Sequence, residues 1–175
     1  MLINLSEIMS IKGKVEHIQP PIELKNFCME GIEYPFANKS FIDLTISHLG
    51  DRKMKLEGEA KVSLLIPCNR CLEDVETLFE LNISKDLDFN HTAEDRIKDL
   101  DETNYLIGYN LDVDLLVYDE ILLEFPMKVL CDEDCKGYCK ICGTNQNKCS
   151  CECKDVGMDP RMAAIQDIFN NFKEV

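Results

Sequence analysis

Tryptophan is absent from the sequence, and no stretch of about 18 apolar residues occurs, as a membrane span would require. The core must therefore consist mainly of Leu, Ile, Val and Phe, which a chain with 45% hydrophobic residues can supply. The first residues, MLINLSEIMS, lack the basic and apolar regions of a signal peptide. We therefore expect a cytoplasmic protein of one domain, or one domain with a small appendage, and no membrane partner.

The usual motifs of catalysis are also missing. The sequence shows no Ser–His–Asp set, no phosphate-binding P-loop and no GxGxxG loop. We therefore expect no enzymatic activity and no small-molecule substrate. The three histidines, His17, His48 and His91, stand far from the cysteine pairs in sequence, so any metal site must be mainly thiolate.

Positive charge is scarce, with 19 Lys and Arg against 33 Asp and Glu, which gives a net charge of −14. The stretch from Asp86 to Glu124 accounts for −10 of it, because twelve acidic residues there face only Arg96 and Lys98. Such a surface repels phosphate backbones and suits a basic protein partner. The alternative is a solvated acidic loop that keeps the protein soluble.

Cysteine, in contrast, is abundant. Seven of the ten cysteines lie in the stretch 131–153, CDEDCKGYCKICGTNQNKCSCEC, and a further pair forms the CNRC motif at Cys68 and Cys71. In a reducing cytosol, closely spaced cysteines are more often metal ligands or redox centres than structural disulfides. Cys28, in a predicted strand, is expected to be a small core residue.

Two four-cysteine sites account for most of these thiols. Cys139 and Cys142, followed by Gly143, form a CxxCG knuckle that a later pair can complete after an eight-residue gap. Spacing alone leaves open which two of Cys149, Cys151 and Cys153 bind.

The second site would unite Cys68 and Cys71 with Cys131 and Cys135 and staple the chain across 59 residues. The competing arrangement holds one zinc ion only and leaves Cys131 and Cys135 free and buried. We expect one or two zinc ions per chain, although iron–sulfur ligation is the main rival. Four thiolates leave no open coordination position, which favours a structural role over catalysis.

The first 90 residues show mainly strand patterns. Two alternating apolar runs flank the CNRC motif, which predicts a β-hairpin with the motif at its tip and a bulge at Gly58. Further strands are predicted at Leu2–Ile8, Ile11–Ile18, Ile22–Cys28, Phe41–Ser47, Tyr105–Tyr109 and Met127–Leu130, and residues 90–103 are expected to form a polar loop.

Two helices complete the prediction. Asp112 is expected to cap a helix over 113–125 with a broad apolar side, ended by Pro126, and a terminal helix is expected to begin at Asp159-Pro160-Arg161. The predicted fold is α+β, an antiparallel sheet or partly closed β-barrel with one packed helix, a Cys-rich zinc-binding segment and a terminal helix. Residues 1–126 form the mainly β part and residues 127–175 the Cys-rich part, integrated into one domain.

These motifs together match a known pattern, whose pieces are Cys68-Asn-Arg-Cys71-Leu-Glu after a strand, the Asp112–Pro126 helix, the run Cys131–Asn147, Cys151-Glu-Cys153, and Asp159-Pro160-Arg161-Met-Ala-Ala. The chain resembles the YceD family, the large ribosomal RNA subunit accumulation proteins. The resemblance covers essentially the whole chain, and its Cys-rich part and Asp-Pro-Arg tail are the most specific pieces. Two departures are Cys149, where the family usually has no cysteine, and Tyr138, where Leu is usual.

The resemblance implies a non-enzymatic cytoplasmic protein that supports accumulation of large-subunit ribosomal RNA. It also implies that Cys151 and Cys153, rather than Cys149, complete the knuckle site. A ribosomal protein or pre-ribosomal particle is the expected partner. Direct contact with ribosomal RNA would need a local basic patch, for which the candidates around the C-terminal site are Lys136, Lys140, Lys148 and Arg161.

Two other functions fit the cysteines. The first is a thiol redox protein that uses Cys68 and Cys71 as a dithiol, with Arg70 lowering a thiol pKa, although the motif lies between two strands instead of in the βαβ context of thioredoxin. The second is a redox- or metal-sensing switch that releases zinc on oxidation, with Cys149 as the resolving thiol.

The metal content of protein purified without added metal tests the site assignment. We expect elemental mass spectrometry to find one or two zinc ions per chain, and two would support both four-cysteine sites. One zinc ion per chain would contradict the site formed by Cys68, Cys71, Cys131 and Cys135. Iron in place of zinc would contradict the predicted metal.

Overall fold

The computed structural model describes residues 1–90 and 104–153. Within this part of the chain, nine strands and two helices follow one another in the order β1 (Leu2–Asn4), α1 (Ser6–Met9), β2 (Val15–Ile18), β3 (Asn26–Met29), β4 (Ile32–Lys39), β5 (Asp43–Gly50), β6 (Lys53–Pro67), β7 (Asp74–Asp88), β8 (Leu106–Ile107), β9 (Asn110–Asp112) and α2 (Val113–Glu124).

Strand β6 is the central strand of the main sheet, because β4, β5 and β7 all pair with it. One of its edges pairs with β7 along all 15 residues, from Lys53 opposite Asp88 to Pro67 opposite Asp74. The other edge is shared, since β5 pairs with its first half and β4 with its second. Strands β2 and β3 then pair with β5 and β4, while β1, β9 and β8 form a separate small antiparallel sheet. The predicted hairpin and antiparallel sheet are confirmed. Among the described residues the sheet does not close, so the alternative of a partly closed barrel is wrong.

The core lies on one face of this sheet. Alternate side chains of β6 and β7 are buried, as the apolar alternation predicts, and α2 packs against β7. Helix α2 begins at the predicted cap, where the Asp112 carboxylate accepts hydrogen bonds from the N–H groups of Asp114 and Leu115. It buries a narrower face than expected, because Leu115, Leu122 and Leu123 remain exposed. No helix in residues 1–90 and 104–153 is long and apolar enough to cross a membrane.

Several predicted elements differ from the structure. The strand predicted at Leu2–Ile8 ends at Asn4 and gives way to α1, and Met127–Leu130 forms no strand. Cys28 is exposed on β3, where Phe27 takes the core position, so its prediction as a core residue is wrong. Residues 91–103, which make up almost all of the predicted polar loop, and the helix predicted from Asp159 lie outside the described residues.

Gly58 forms no bulge. The register runs without a shift through Leu44 opposite Gly58 and Gly58 opposite Ile83. A Cβ atom at Gly58 would lie 2.5 Å from the backbone oxygen of Asp43 and 2.6 Å from Cδ2 of Leu44. The glycine is therefore required by the close approach of β5, in the middle of a regular strand.

We predict that Gly58→Ala lowers the free energy of unfolding by about 2 kcal/mol, because the added methyl group overlaps backbone and buried side chain. Urea denaturation measures the loss. Glu57→Ala, at the neighbouring exposed position of β6, is the matched control and should leave stability nearly unchanged. Equal stability of the two variants would contradict the steric explanation.

Candidate metal centre

The tip of the β6–β7 hairpin is a tight cysteine-bearing turn. The Leu72 N–H donates to the Cys68 carbonyl at 3.0 Å, and the Cys68 N–H donates to the Glu73 carbonyl at 2.8 Å. Leu72 has φ +61°, in the left-handed region that favours glycine. This turn holds Cys68 and Cys71 on the same side, at the end of two long paired strands.

The same turn occurs a second time at residues 139–144. The Gly143 N–H donates to the Cys139 carbonyl at 2.8 Å, the Cys139 N–H donates to the Thr144 carbonyl at 2.8 Å, and Gly143 has φ +73°. The two knuckles therefore share one backbone hydrogen-bond pattern. The first has leucine where the second has glycine.

The first tetrad is formed by Cys68, Cys71, Cys131 and Cys135, whose sulfur atoms all lie within 4.8 Å of one another. The Cys68 and Cys135 sulfurs are 3.8 Å apart, and those of Cys71 and Cys131 are 3.5 Å apart. A tetrahedron with metal–sulfur bonds of about 2.3 Å has edges of about 3.8 Å. The predicted set is thus brought together with a spacing that fits a four-thiolate ion.

The second tetrad is formed by Cys139, Cys142, Cys151 and Cys153, whose sulfurs also lie within 4.8 Å of one another. Cys149 is exposed and lies outside both groups. The structure therefore groups the pair that the family resemblance implies, a choice that spacing alone left open.

Asn69 and Arg70, the middle residues of the CNRC motif, hold the second half of the first tetrad. The Asn69 N–H donates to the Val129 carbonyl at 2.9 Å, and Asn69 Oδ1 accepts from the Val129 N–H at 2.8 Å. The Arg70 guanidinium donates to the carbonyls of Glu133 and Cys135, each at 2.9 Å. Both backbone polar groups of Val129 are thus hydrogen-bonded to Asn69. They need no strand partner, although a strand was predicted at Met127–Leu130.

Sequence reasoning missed this positioning role. The sequence suggests that the charge of Arg70 lowers a thiol pKa, but its guanidinium binds backbone carbonyls. Two polar side chains at the tip of a hairpin, Asn69 and Arg70, are the signal that could have indicated hydrogen bonds to a distant segment.

The four thiols of the first tetrad do not ionise equally. Burial raises the pKa of the Cys68 thiol, but the N–H groups of Cys71 and Arg70 outweigh it and lower that pKa to about 6. Hydrogen bonding to Cys135 and Cys71 raises the pKa of Cys131 to about 12. Thiols this close repel one another once ionised, and a divalent cation among them would remove that repulsion.

The second tetrad shows the same division. The Thr144 hydroxyl, 3.1 Å from the Cys142 sulfur, and the Thr144 N–H lower the pKa of Cys142 to about 6. Hydrogen bonding to Cys142 raises the pKa of Cys153 to about 12. Each tetrad thus combines a thiol of lowered pKa with one of raised pKa, and a bound cation would favour ionisation of all four. Four cysteines would fill all four positions of a tetrahedron. Four thiolates suit zinc or iron, and they leave no position for a substrate.

The four basic residues predicted as candidates for RNA contact differ in their surroundings. Lys136 and Lys140 are exposed, while Lys148 pairs with Glu73 at 2.8 Å. Arg161 lies outside the described residues.

A family model described as "Large ribosomal RNA subunit accumulation protein YceD" matches residues 56–169, which include both tetrads. The chain belongs to the YceD family. The uncharacterized protein YlbN of Bacillus subtilis is 35% identical over 112 residues, 63% of each chain. The large ribosomal RNA subunit accumulation protein YCED homolog 1, chloroplastic, of Arabidopsis thaliana is 28% identical over 140 residues, 62% of this chain and 43% of that protein.

The uncharacterized protein Rv2926c of Mycobacterium tuberculosis is 28% identical over 102 residues, 58% of this chain and 49% of that protein. The chain thus spans less than two thirds of the length of these curated relatives. No solved structure matches it.

We predict that Leu72→Gly stabilises the protein by about 1 kcal/mol, because it removes the steric cost of a side chain at φ +61°. The Leu72 side chain is 63% exposed, so little packing is lost. Gly143→Ala, at the equivalent position of the second knuckle, should destabilise by a similar amount. Urea denaturation measures the free energy of unfolding of both variants. A Leu72→Gly protein that is less stable than the wild type would contradict the idea that the backbone at Leu72 is strained.

Proposed function

We propose that this chain is a non-enzymatic, zinc-binding cytoplasmic factor that supports accumulation of large-subunit ribosomal RNA. It acts by binding a ribosomal protein or a pre-ribosomal particle. The observation that carries the metal role is the closure of both tetrads, each with four thiols within 4.8 Å. A bound ion would supply a structural cross-link there.

Family membership supports the ribosomal role. The matching family model carries the words "large ribosomal RNA subunit accumulation", and so does the name of the Arabidopsis thaliana relative, which is also described as chloroplastic.

Electrostatics favour a basic protein over bare RNA as the direct partner. The chain carries a net charge of −14, and a divalent ion held by four thiolates carries about −2, which adds negative charge beside Lys136 and Lys140. Part of the acidic stretch is used internally, since Asp114 binds the Met1 ammonium and Glu120 pairs with Lys85. On the outer sheet face Glu59 is exposed, whereas the exposed Glu80 carboxylate pairs with the Lys61 ammonium at 2.7 Å.

The thiol redox alternative has less support. Cys68 is fully buried, and the motif lies at the tip of an antiparallel hairpin. A dithiol that exchanges with a protein disulfide needs an accessible thiolate. Failure of the reduced, metal-free protein to reduce an insulin disulfide would remove this alternative.

Complementation of a strain that lacks the gene tests the proposal. We expect deletion to lower the ratio of large- to small-subunit ribosomal RNA, and the intact gene to restore it. A Cys71→Ser, Cys135→Ser variant should restore it poorly, because the first tetrad is lost. Cys28→Ser and Cys149→Ser, outside both tetrads, are matched controls that should restore it fully.

Sucrose-gradient sedimentation of the same strains locates the partner. We expect the protein to sediment with large-subunit precursors. An unchanged RNA ratio after deletion, together with a protein found only in the free fractions, would overturn the ribosomal role.

A further inference from the structure

The loop that closes the second tetrad reaches the first one. Asn147 lies between Cys142 and Cys151 in sequence, yet its Nδ2 donates to the Cys135 sulfur at 3.1 Å. Its Oδ1 accepts from the Lys136 N–H at 2.7 Å. A side chain carried by one tetrad's loop is therefore hydrogen-bonded to a thiol of the other tetrad.

The position of Asn147 depends on the folding of this loop. The Asn147 N–H donates to Asn145 Oδ1 at 2.9 Å, and the Gln146 N–H donates to the Gly137 carbonyl at 2.9 Å. Residues 139–142 and 151–153 lie at the two ends of the loop, so the second tetrad holds both ends together. Opening this tetrad would release the turn that aims the carboxamide at Cys135.

The loop also contacts the first knuckle. Glu73, directly after the hairpin turn, accepts a hydrogen bond from Asn145 Nδ2 at 3.2 Å and pairs with Lys148 Nζ at 2.8 Å. These contacts are exposed and individually weak. Their effect is to keep the loop seated beside the first tetrad.

We propose that Asn147 is a positioning residue that couples the two tetrads, so that a metal ion in the second slows the loss of the ion from the first. A hydrogen bond to a metal-bound thiolate draws charge from the sulfur and holds its orientation, and loss of such a contact typically weakens metal affinity about 10- to 100-fold. The inference rests on the proposed metal binding.

Zinc release to a chromogenic chelator tests the coupling in the full-length protein. Four proteins form a double-mutant cycle. They are the wild type, the Asn147→Ala variant, a variant with both Cys151→Ser and Cys153→Ser, and the triple variant that carries all three substitutions. The measured quantity is the rate at which the first tetrad releases its zinc ion. We expect each change alone to raise this rate about tenfold and the combination to raise it little further, since both act through the same contact.

Two further variants isolate the contact. Asn147→Asp keeps the size and the Oδ1 acceptor but replaces the N–H donor, so it should speed release at least as much as Asn147→Ala. Gln146→Ala changes the neighbouring exposed side chain of the same loop and should leave the rate unchanged. Cadmium-113 NMR of the loaded protein should show the first-tetrad resonance shifted by Asn147→Asp and not by Gln146→Ala.

The outcomes separate the two ideas. The coupling is wrong if the fold-increase in the release rate of the triple variant equals the product of the fold-increases of Asn147→Ala and of the Cys151→Ser, Cys153→Ser variant. It is also wrong if Asn147→Asp releases zinc at the wild-type rate. In both cases the proposed metal binding stands. If the wild-type protein holds no metal in either tetrad, the metal role and the coupling fall together.

Discussion

Four sulfur atoms from two distant parts of the chain must meet within 4.8 Å, and this requirement governs how the rest of the molecule is built. The long β6–β7 pairing carries Cys68 and Cys71 to a defined point in space. Helix α2 packs on β7 and delivers the chain that follows it to the same end of the sheet. Asn69 and Arg70 then hold residues 129–135 against the tip. The sheet thus acts as a scaffold that positions one half of a site for the other.

The parts of the fold that follow from local chemistry could be predicted. Apolar alternation through most of their length predicts β6 and β7, and an Asp followed by an apolar helix with Pro beyond its end predicts α2. Elements that depend on distant partners were missed. Strand β4 was missed although Ile32, Tyr34 and Phe36 alternate, because Pro35 disfavours a strand paired on both edges. In the structure it pairs with β3 on one edge and with the second half of β6 on the other. Gly58 resembles a bulge in sequence because only the position of β5 reveals the crowding.

The site divides in the same way. Knuckle spacing is a local signal, so the pairs at Cys68 and Cys139 were recognisable from the sequence. The grouping of Cys68 with Cys135 was inferred by elimination among the remaining thiols, and only the three-dimensional arrangement supplies the 3.8 Å sulfur separation. The contact from Asn147 to Cys135 crosses between two sites and has no sequence signature. Nothing in the pattern distinguishes this asparagine from Asn145.

The separation of the first tetrad into two halves has a consequence for synthesis of the chain. A cross-link across the 59 residues between Cys71 and Cys131 would remove roughly 4 kcal/mol of conformational entropy from the unfolded chain. That gain arrives late, because the hairpin leaves the ribosome well before its partners. In the interval the hairpin tip presents two thiols without their counterparts. Newly made chains are therefore most vulnerable to oxidation or to capture of a wrong metal before the Cys-rich segment emerges.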